Sequence, residues 1–188
     1  MSDSVTALIQ SKKDWTKDDF VFFWGHHKTK GINKGCFSQW WPCSFTVDNI
    51  TYNCAEQYMM AGKARLFNDT YTLQKILESK DPATCKYLGR QVKDFNSKIW
   101  EEHCSQIVFE GNYAKFSQNE DLKKELLSTR NKILVEASPY DCIWGIGMAV
   151  DNPDCSNPSK WKGTNLLGFI LTDVRTALKN SDLYIITE

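Results

Sequence analysis

The segment "NCAEQYMMAGKARLF" (residues 53–67) has the apolar spacing of a buried helix, yet it carries a glutamate and a lysine on the same stripe. Glu56 and Lys63 are seven residues apart, which is nearly two helical turns. They should therefore share one face, about 10 Å apart along the axis, with Met59 and Met60 between them. At that separation the charges cannot neutralise each other directly, so the helix must carry them for another reason.

Each of these charges also has an ordinary structural explanation. Asn53 fits a helix N-cap, and Glu56 follows it by three residues, which is the capping-box position. Lys63 fits a side chain whose stem packs on the surface while its ammonium stays in water. The small residues Ala55 and Gly62, however, would let a ligand approach the same face. The sequence leaves both interpretations open.

Composition restricts the class of protein. The 188 residues suit one domain with a sizeable core, and 23 basic residues balance 23 acidic ones. This balance argues against non-specific capture of nucleic acid or anionic membrane. The seven cysteines show no disulfide framework, and neither a signal peptide nor a membrane-length apolar run is evident. We expect an intracellular, cytoplasmic protein with no membrane association.

A metal site is not expected. The sequence has three histidines, two of them adjacent (His26 and His27), and it has no C-x-x-C motif. Structural zinc sites need a regular spacing of Cys and His ligands, which is missing. We therefore expect neither a metal nor another cofactor.

The seven tryptophans have two interpretations. Core packing explains most of them, but a flat ring with one polar handle also suits stacking on a base or sugar. Five lie beside Gly, Pro or polar residues and are candidates for stacking: Trp40, Trp41, Trp100, Trp144 and Trp161.

The remaining pattern predicts a mainly helical chain with few strands. Apolar runs predict strands at 19–25 and 132–137, and "FTVDNITY" (45–52) predicts a hairpin that turns at Asp48–Asn49. Helix starts are indicated at four further positions: Asp81 with Pro82, Asn96, Asn119 and Thr164.

These elements predict an α+β fold, namely a mainly helical single compact domain with a small sheet. We place the domain at 19–179, after an N-terminal extension (1–18) and before a C-terminal tail (180–188) that can fray.

Two further segments contain charged residues that have both a structural and a functional interpretation. Asp141, in "PYDCIWG", is either a turn-forming residue that bonds its own backbone or a second carboxylate beside Glu56. Two carboxylates from different segments suit cleavage of a glycosidic bond. The loop lysines Lys28, Lys30 and Lys34 are either solvated or a diphosphate clamp.

Seven segments together resemble the NADAR family, also called YbiA-like, in order and spacing from about residue 20 to 178. The segments are "FFWGHHK", "GCFSQWWPCSF", "AEQYMMAGKARLF", "KYLGRQV", "NYAKFSQN", "LVEASPYDCIWGIG" and "NLLGFILTDVR". The resemblance implies a YbiA-like fold and N-glycosidic chemistry on nucleotide-like molecules. The spellings "FFWGH", "SQWWP" and "EASPYDCIWGIG" look closer to the ADP-ribose-handling branch than to the branch linked to riboflavin biosynthesis.

The resemblance also implies site residues. The family's key acid falls on Glu56, its second acid on Asp141 and the lysine of the glutamate helix on Lys63, which we expect to be catalytic. The family's tryptophan falls on Trp100, and the other residues that we expect to bind substrate are Lys28, Trp40, Trp144 and Gly145. On this interpretation the face with Glu56 and Lys63 is the floor of a pocket, and the methionines form an apolar wall beneath a sugar.

Three functions follow as alternatives. The first is a hydrolase that removes ADP-ribose from ADP-ribosylated guanine, in guanosine or nucleic acid, and so reverses the modification. The second is a module that binds NAD or ADP-ribose without turnover. The third is an N-glycosidase that acts on intermediates of riboflavin biosynthesis. The presence of Glu56, Lys63 and Asp141 favours an enzyme, while the ranking of Lys28, Lys63 and Lys115 stays open.

Overall fold

The described chain is mainly helical, as predicted for an α+β protein. The computed structural model describes residues 3–25 and 31–185. Seven α-helices lie in these ranges: α1 (Asp3–Ser11), α2 (Ala55–Leu66), α3 (Thr70–Glu78), α4 (Pro82–Gly89), α5 (Ser97–Ser117), α6 (Glu120–Ser128) and α7 (Leu166–Ile185). The strands described are β1 (Phe20–Phe23), β2 (Phe45–Val47), β3 (Ile50–Tyr52) and β4 (Ile133–Glu136). None of the described helices combines the length and apolarity needed to cross a lipid bilayer.

The strands form two small sheets. β1 pairs in parallel with β4, with Phe20 opposite Ile133. β2 and β3 form the expected antiparallel hairpin. Its turn residues Asp48 and Asn49 have φ values of 50° and 61°, which two-residue hairpin turns require and which Asp and Asn tolerate. The predicted hairpin and both predicted strands are confirmed.

The chain divides into two compact units, 1–38 with 124–188 and 39–123, which we call unit 1 and unit 2. In unit 1, Val5 and Leu8 of α1 belong to a buried cluster with Phe20, Val135 and Trp161. The N-terminal segment that we predicted to be an extension therefore contributes to the core of unit 1.

Unit 2 is built around α2, which packs against α3, α4 and α5. Eight of its twelve residues are buried. A Cβ atom on Gly62 would lie 2.6 Å from Cγ2 of Ile107, and one on Gly111 would lie 2.4 Å from Cδ1 of Tyr58. Gly62 was expected to leave room for a ligand. Instead its small size lets α5 approach α2.

The predicted helix starts are mostly confirmed. Asp81 caps α4 with Pro82 in the first turn, and Asn96 caps α5. Thr164 does not cap the last helix, which begins at Leu166. Its hydroxyl instead donates to the carbonyl of Ile143, because the preceding loop folds back over this position. α7 also continues to Ile185, through most of the segment predicted to be a tail.

Candidate functional site

Glu56 does not form the predicted capping box. The N-cap of α2 is Cys54, so Glu56 is the second helical residue rather than the third. The side-chain amide of Asn53 donates to the carbonyl of Ser79 at 2.9 Å, and Gln57 reaches back to accept the N–H of Asn53 at 2.9 Å. The interpretation of Glu56 as a capping residue is therefore wrong, since Gln57 performs that task and Asn53 bonds the end of α3.

The Glu56 side chain is buried at the start of α2, with an exposed fraction of 5%. Its backbone N–H donates to the carbonyl of Gln39 at 2.9 Å. Burial raises the pKa of the Cys54 thiol to about 12, and the charge of Glu56 contributes to this rise. Burial likewise raises the pKa of the Cys85 thiol, again with a contribution from Glu56. The carboxylate thus lies near two neutral thiols, in surroundings that screen charge poorly.

Lys63 lies two turns further along α2, next to aromatic rings. Its Nζ is 4.0 Å from the centre of the Phe95 ring and 5.6 Å from the centre of the Trp100 ring. Burial lowers the pKa of Lys63, and the nearby Arg90 lowers it further. The charge of Arg90 thus acts on the ammonium in the same direction as burial.

Helix α4 covers the face of α2 between Glu56 and Lys63. A Cβ atom on Gly89 would lie 2.0 Å from Sδ of Met60, so α4 packs directly on that methionine. Met59 and Met60 are both 6% exposed. The prediction that the methionines form a wall beneath a sugar is wrong for Met60, whose sulfur contacts α4. The two charges therefore have different surroundings, one buried and one half-buried.

Four of the five tryptophans predicted to stack divide into two groups. Trp100 and Trp40 are half-buried, and Lys86 Nζ lies 5.9 Å from the centre of the Trp40 ring. Trp41 and Trp161 are only 3% and 8% exposed, and both belong to the core. The first pair keeps a partly exposed ring that can contact a ligand, whereas the second pair packs as ordinary core residues.

Asp141, in unit 1, forms the turn that its ordinary explanation predicted. Its Oδ1 accepts the N–H groups of Ile143 at 2.9 Å and Trp144 at 2.8 Å. A Cβ atom on Gly145 would lie 2.7 Å from the carbonyl oxygen of Glu136, so this position requires glycine. Asp141 and Gly145 thus shape the turn after β4, and the half-buried Trp144 lies within it. A catalytic role for Asp141 stays a prediction.

The three lysines left unranked by the sequence differ in their surroundings. Lys28 lies outside the described residues, and its contact with a diphosphate or ribose stays a prediction. Among the described lysines, Lys115 is the one that is buried, with an exposed fraction of 0% and its Nζ 5.0 Å from the centre of the Phe116 ring. It lies seven residues after Val108, which places both on the buried face of α5.

No cluster of three or more His, Cys, Asp or Glu side chains in the described part of the chain is placed to hold a metal ion. The candidate site in unit 2 consists of the buried carboxylate of Glu56, the half-buried Lys63 and the partly exposed rings of Trp40 and Trp100.

Several known proteins are similar in sequence to most of this chain. "N-glycosidase R617" of Acanthamoeba polyphaga mimivirus is 48% identical over 164 residues, which are 84% of this chain and 95% of that protein. "N-glycosidase YbiA" of Escherichia coli K12 is 30% identical over 144 residues, 77% of this chain and 81% of that protein. "Riboflavin biosynthesis protein VVA0006" of Vibrio vulnificus is 30% identical over 152 residues, but the chain spans 38% of its length.

The fold agrees with these relationships. The NMR structure of E. coli YbiA has a TM-score of 0.71 to this chain at 27% identity, with 89% of each chain covered. The NADAR domain matches residues 22–179, which is most of the sequence. The chain therefore belongs to the NADAR family.

Proposed function

We propose that this protein is an N-glycosidase that removes ADP-ribose from ADP-ribosylated guanine bases. Relatives named N-glycosidases support N-glycosidase activity. The choice of ADP-ribosylated guanine rests on the motif spellings of the ADP-ribose-handling branch. The observation that carries the proposal is the buried Glu56, whose carboxylate is not the capping group of α2.

Glu56 is the group that we assign to the bond-breaking step. When the bond between C1 of the ribose and the guanine nitrogen breaks, its electrons leave with the base and positive charge develops on the sugar. A carboxylate stabilises that charge most strongly where water is excluded, as it is around Glu56. Its buried position thus suits Glu56 to a transition state in which C1 of the sugar becomes positively charged.

Lys63 is proposed to act as a nucleophile on the same sugar. Burial and Arg90 lower its pKa, so more of the amine is neutral at a given pH than for an exposed lysine. The ribose ring first opens: the C1–O4′ bond breaks, O4′ takes a proton, and C1 becomes doubly bonded to the guanine nitrogen. The neutral amine then adds to C1, and the guanine leaves with the C1–N electrons and a proton from the amine, so that C1 becomes doubly bonded to Nζ of Lys63. Water hydrolyses this C=N bond, which releases ADP-ribose and restores the amine. Because only the neutral amine attacks, this step should accelerate as the pH rises through the lowered pKa.

The other proposed residues support binding. Trp100 offers a half-buried ring to the base or sugar, and Trp40 offers a second half-buried ring in unit 2. Asp141 is proposed as a second acid that acts through the oxygen that does not hold the turn, while Trp144 and Gly145 shape its surroundings. Lys28 is proposed to contact the diphosphate.

The proposed function is tested by weighing the products formed from an ADP-ribosylated guanosine oligonucleotide. Release of ADP-ribose with recovery of the unmodified oligonucleotide is the expected result. An intact substrate that co-elutes with the protein would instead indicate a binding module. Because one relative is named a riboflavin biosynthesis protein, a parallel reaction supplies intermediates of riboflavin biosynthesis that carry ribose phosphate. Cleavage in that reaction alone would contradict the proposal.

Borohydride tests the covalent step separately. It reduces a C=N bond to a stable secondary amine, so a sugar adduct on Lys63 should appear by peptide mapping when borohydride is present during turnover. An adduct on Lys115 would support the covalent step but would make Lys115, and not Lys63, the nucleophile. Confirmed turnover without any adduct would leave direct attack by water, assisted by Glu56.

A further inference from the structure

The motif "NYAKFSQN" contains a buried amide whose hydrogen bonds are incomplete. Asn112, on α5, is 0% exposed. Its Nδ2 donates to Oε1 of Gln39 at 2.8 Å and to the carbonyl of Val108 at 2.8 Å. Its Oδ1 has no hydrogen-bond partner among the residues that the structure describes. An unsatisfied buried acceptor costs about 1–3 kcal/mol, so unit 2 retains Asn112 at an energetic loss.

A second buried amide in unit 2 shows that this loss is not general. Gln57, 2% exposed, accepts the N–H of Asn53 through Oε1 and donates through Nε2 to the carbonyls of Ile76 and Ser79. Both ends of this amide are bonded, as is usual for a buried polar side chain. The contrast indicates that Asn112 is present for its donor group.

The donor of Asn112 holds the residue that supports Glu56. Gln39 is 9% exposed, and its side chain is bonded to Asn112. The main-chain carbonyl of Gln39 accepts the backbone N–H of Glu56 at 2.9 Å. N–H groups in the first turn of a helix have no partner within the helix, so Gln39 supplies the contact that fixes Glu56.

We propose that Asn112 and Gln39 form a positioning pair for the carboxylate of Glu56. Asn112 locks the Gln39 side chain, and Gln39 fixes the first turn of α2. Neither residue needs to touch the substrate. This inference rests on the proposed function for its catalytic consequence, but the hydrogen-bond geometry stands independently of it.

The test is the double variant Asn112→Leu with Gln39→Met, which replaces both partners by apolar side chains of similar shape. Removing both halves of a buried hydrogen bond is nearly neutral, and here it also removes the unsatisfied Oδ1, so the melting temperature should stay equal or rise. The kcat on the ADP-ribosylated oligonucleotide should fall about 10–100-fold, with KM changed less than about threefold, because misplacement of a catalytic group by about 1 Å costs up to about 10²-fold. A wild-type kcat in the double variant would overturn the inference.

The single variants distinguish positioning from direct contact with substrate. For a positioning pair, Asn112→Leu and Gln39→Met should each lower kcat about as much as the double variant does, because either one breaks the same link. Effects that multiply in the double variant would show separate roles and would contradict the pair. Leu126→Ala is the stability control, because Leu126 is 0% exposed and lies in unit 1: it should lower the melting temperature while kcat, measured well below that temperature, stays near wild type.

Hydrogen exchange of the Glu56 backbone amide provides a readout without turnover. Loss of the pair should increase the exchange rate of this amide about tenfold, because its protection depends on Gln39. An unchanged rate in the double variant would contradict the inference even if the wild type shows no glycosidase activity. An accelerated rate without wild-type turnover would keep the positioning pair and overturn only the proposed function.

Discussion

Glu56 and Asp141 are two carboxylates with the same sequence-based ambiguity and opposite outcomes. Each had an ordinary local use, Glu56 as a helix cap and Asp141 as a turn former. In unit 2, Gln57 accepts the N–H of Asn53 at the start of α2, and Glu56 is buried near the Cys54 thiol. In unit 1, one carboxylate oxygen of Asp141 accepts hydrogen bonds from the N–H groups of Ile143 and Trp144.

The difference shows that a local sequence pattern predicts which hydrogen bonds a carboxylate can form, but not whether the folded protein forms them. Asn53 and Glu56 satisfy the capping-box spacing, but the Asn53 amide bonds Ser79, at the end of a different helix. Such a contact depends on tertiary packing. The chemistry of Glu56 therefore comes from the neighbours that cover it, while the structural role of Asp141 comes from its own segment.

The largest effect is expected for Glu56→Gln. Gln keeps the size of the side chain and removes the charge that stabilises the sugar cation, so kcat should fall about 10²–10³-fold. The melting temperature should change little, because the carboxylate does not cap α2. Steady-state kinetics and thermal unfolding measure both quantities. A variant that turns over at nearly the wild-type rate would erase the difference between the two carboxylates.

Trp100 tests whether the aromatic rings near Lys63 bind substrate. Stacking of a base on a ring contributes about 1–3 kcal/mol, so Trp100→Ala should weaken ADP-ribose binding about 5–150-fold. Trp100→Phe should retain much of the affinity, since it keeps a ring. Calorimetric titration and melting temperature give the two readouts. Strong destabilisation with unchanged affinity would make Trp100 a core residue.

Asp141 is predicted to respond differently to two substitutions. Asn can still accept the N–H groups of Ile143 and Trp144, so Asp141→Asn should preserve the turn, whereas Asp141→Ala should lose about 0.5–2 kcal/mol, as at comparable side-chain caps. Denaturant unfolding measures this difference. Activity of the Asn variant then reports on the charge alone. A tenfold or greater loss would give Asp141 the proposed role as second acid.

Asp69 supplies a third carboxylate, for which the hydrogen bonds define a purely structural role. Hydrogen bonds from the N–H groups of Lys93 and Thr72 lower its pKa from 3.8 to about 2. A lowered folded-state pKa means that its contribution to stability is present above about pH 4 and is lost as the pH falls towards about 2. Asp69→Asn should therefore be destabilising at pH 7 and equal to wild type near pH 2, as urea unfolding would show. A difference that persists at pH 2 would assign the effect to packing.

The sequence predicted the parts of the fold that depend on local chemistry. The hairpin at Asp48–Asn49 and the caps at Asp81 and Asn96 follow from backbone preferences and short-range hydrogen bonds. The predicted start of α7 was wrong because the Thr164 hydroxyl donates to the carbonyl of Ile143, which is remote in sequence. Local patterns cannot report such contacts.

The sequence predicted which residues form the candidate site better than it predicted what surrounds them. The spacing of Glu56 and Lys63 placed both on α2, but α4, packed on Met60, decides which part of that face is covered. The incomplete hydrogen bonding of Asn112 was also invisible, because it depends on the approach of Gln39 from another segment.

The most direct measurement compares three proteins on one substrate. Wild type, Glu56→Gln and Asp141→Asn are each incubated with the same ADP-ribosylated guanosine oligonucleotide, and mass spectrometry follows the loss of the ADP-ribose mass. The account predicts that wild type releases ADP-ribose and restores the unmodified oligonucleotide, and that Glu56→Gln leaves the substrate intact although it is folded. Release by Glu56→Gln at the wild-type rate would contradict the assignment of the bond-breaking step to the buried carboxylate.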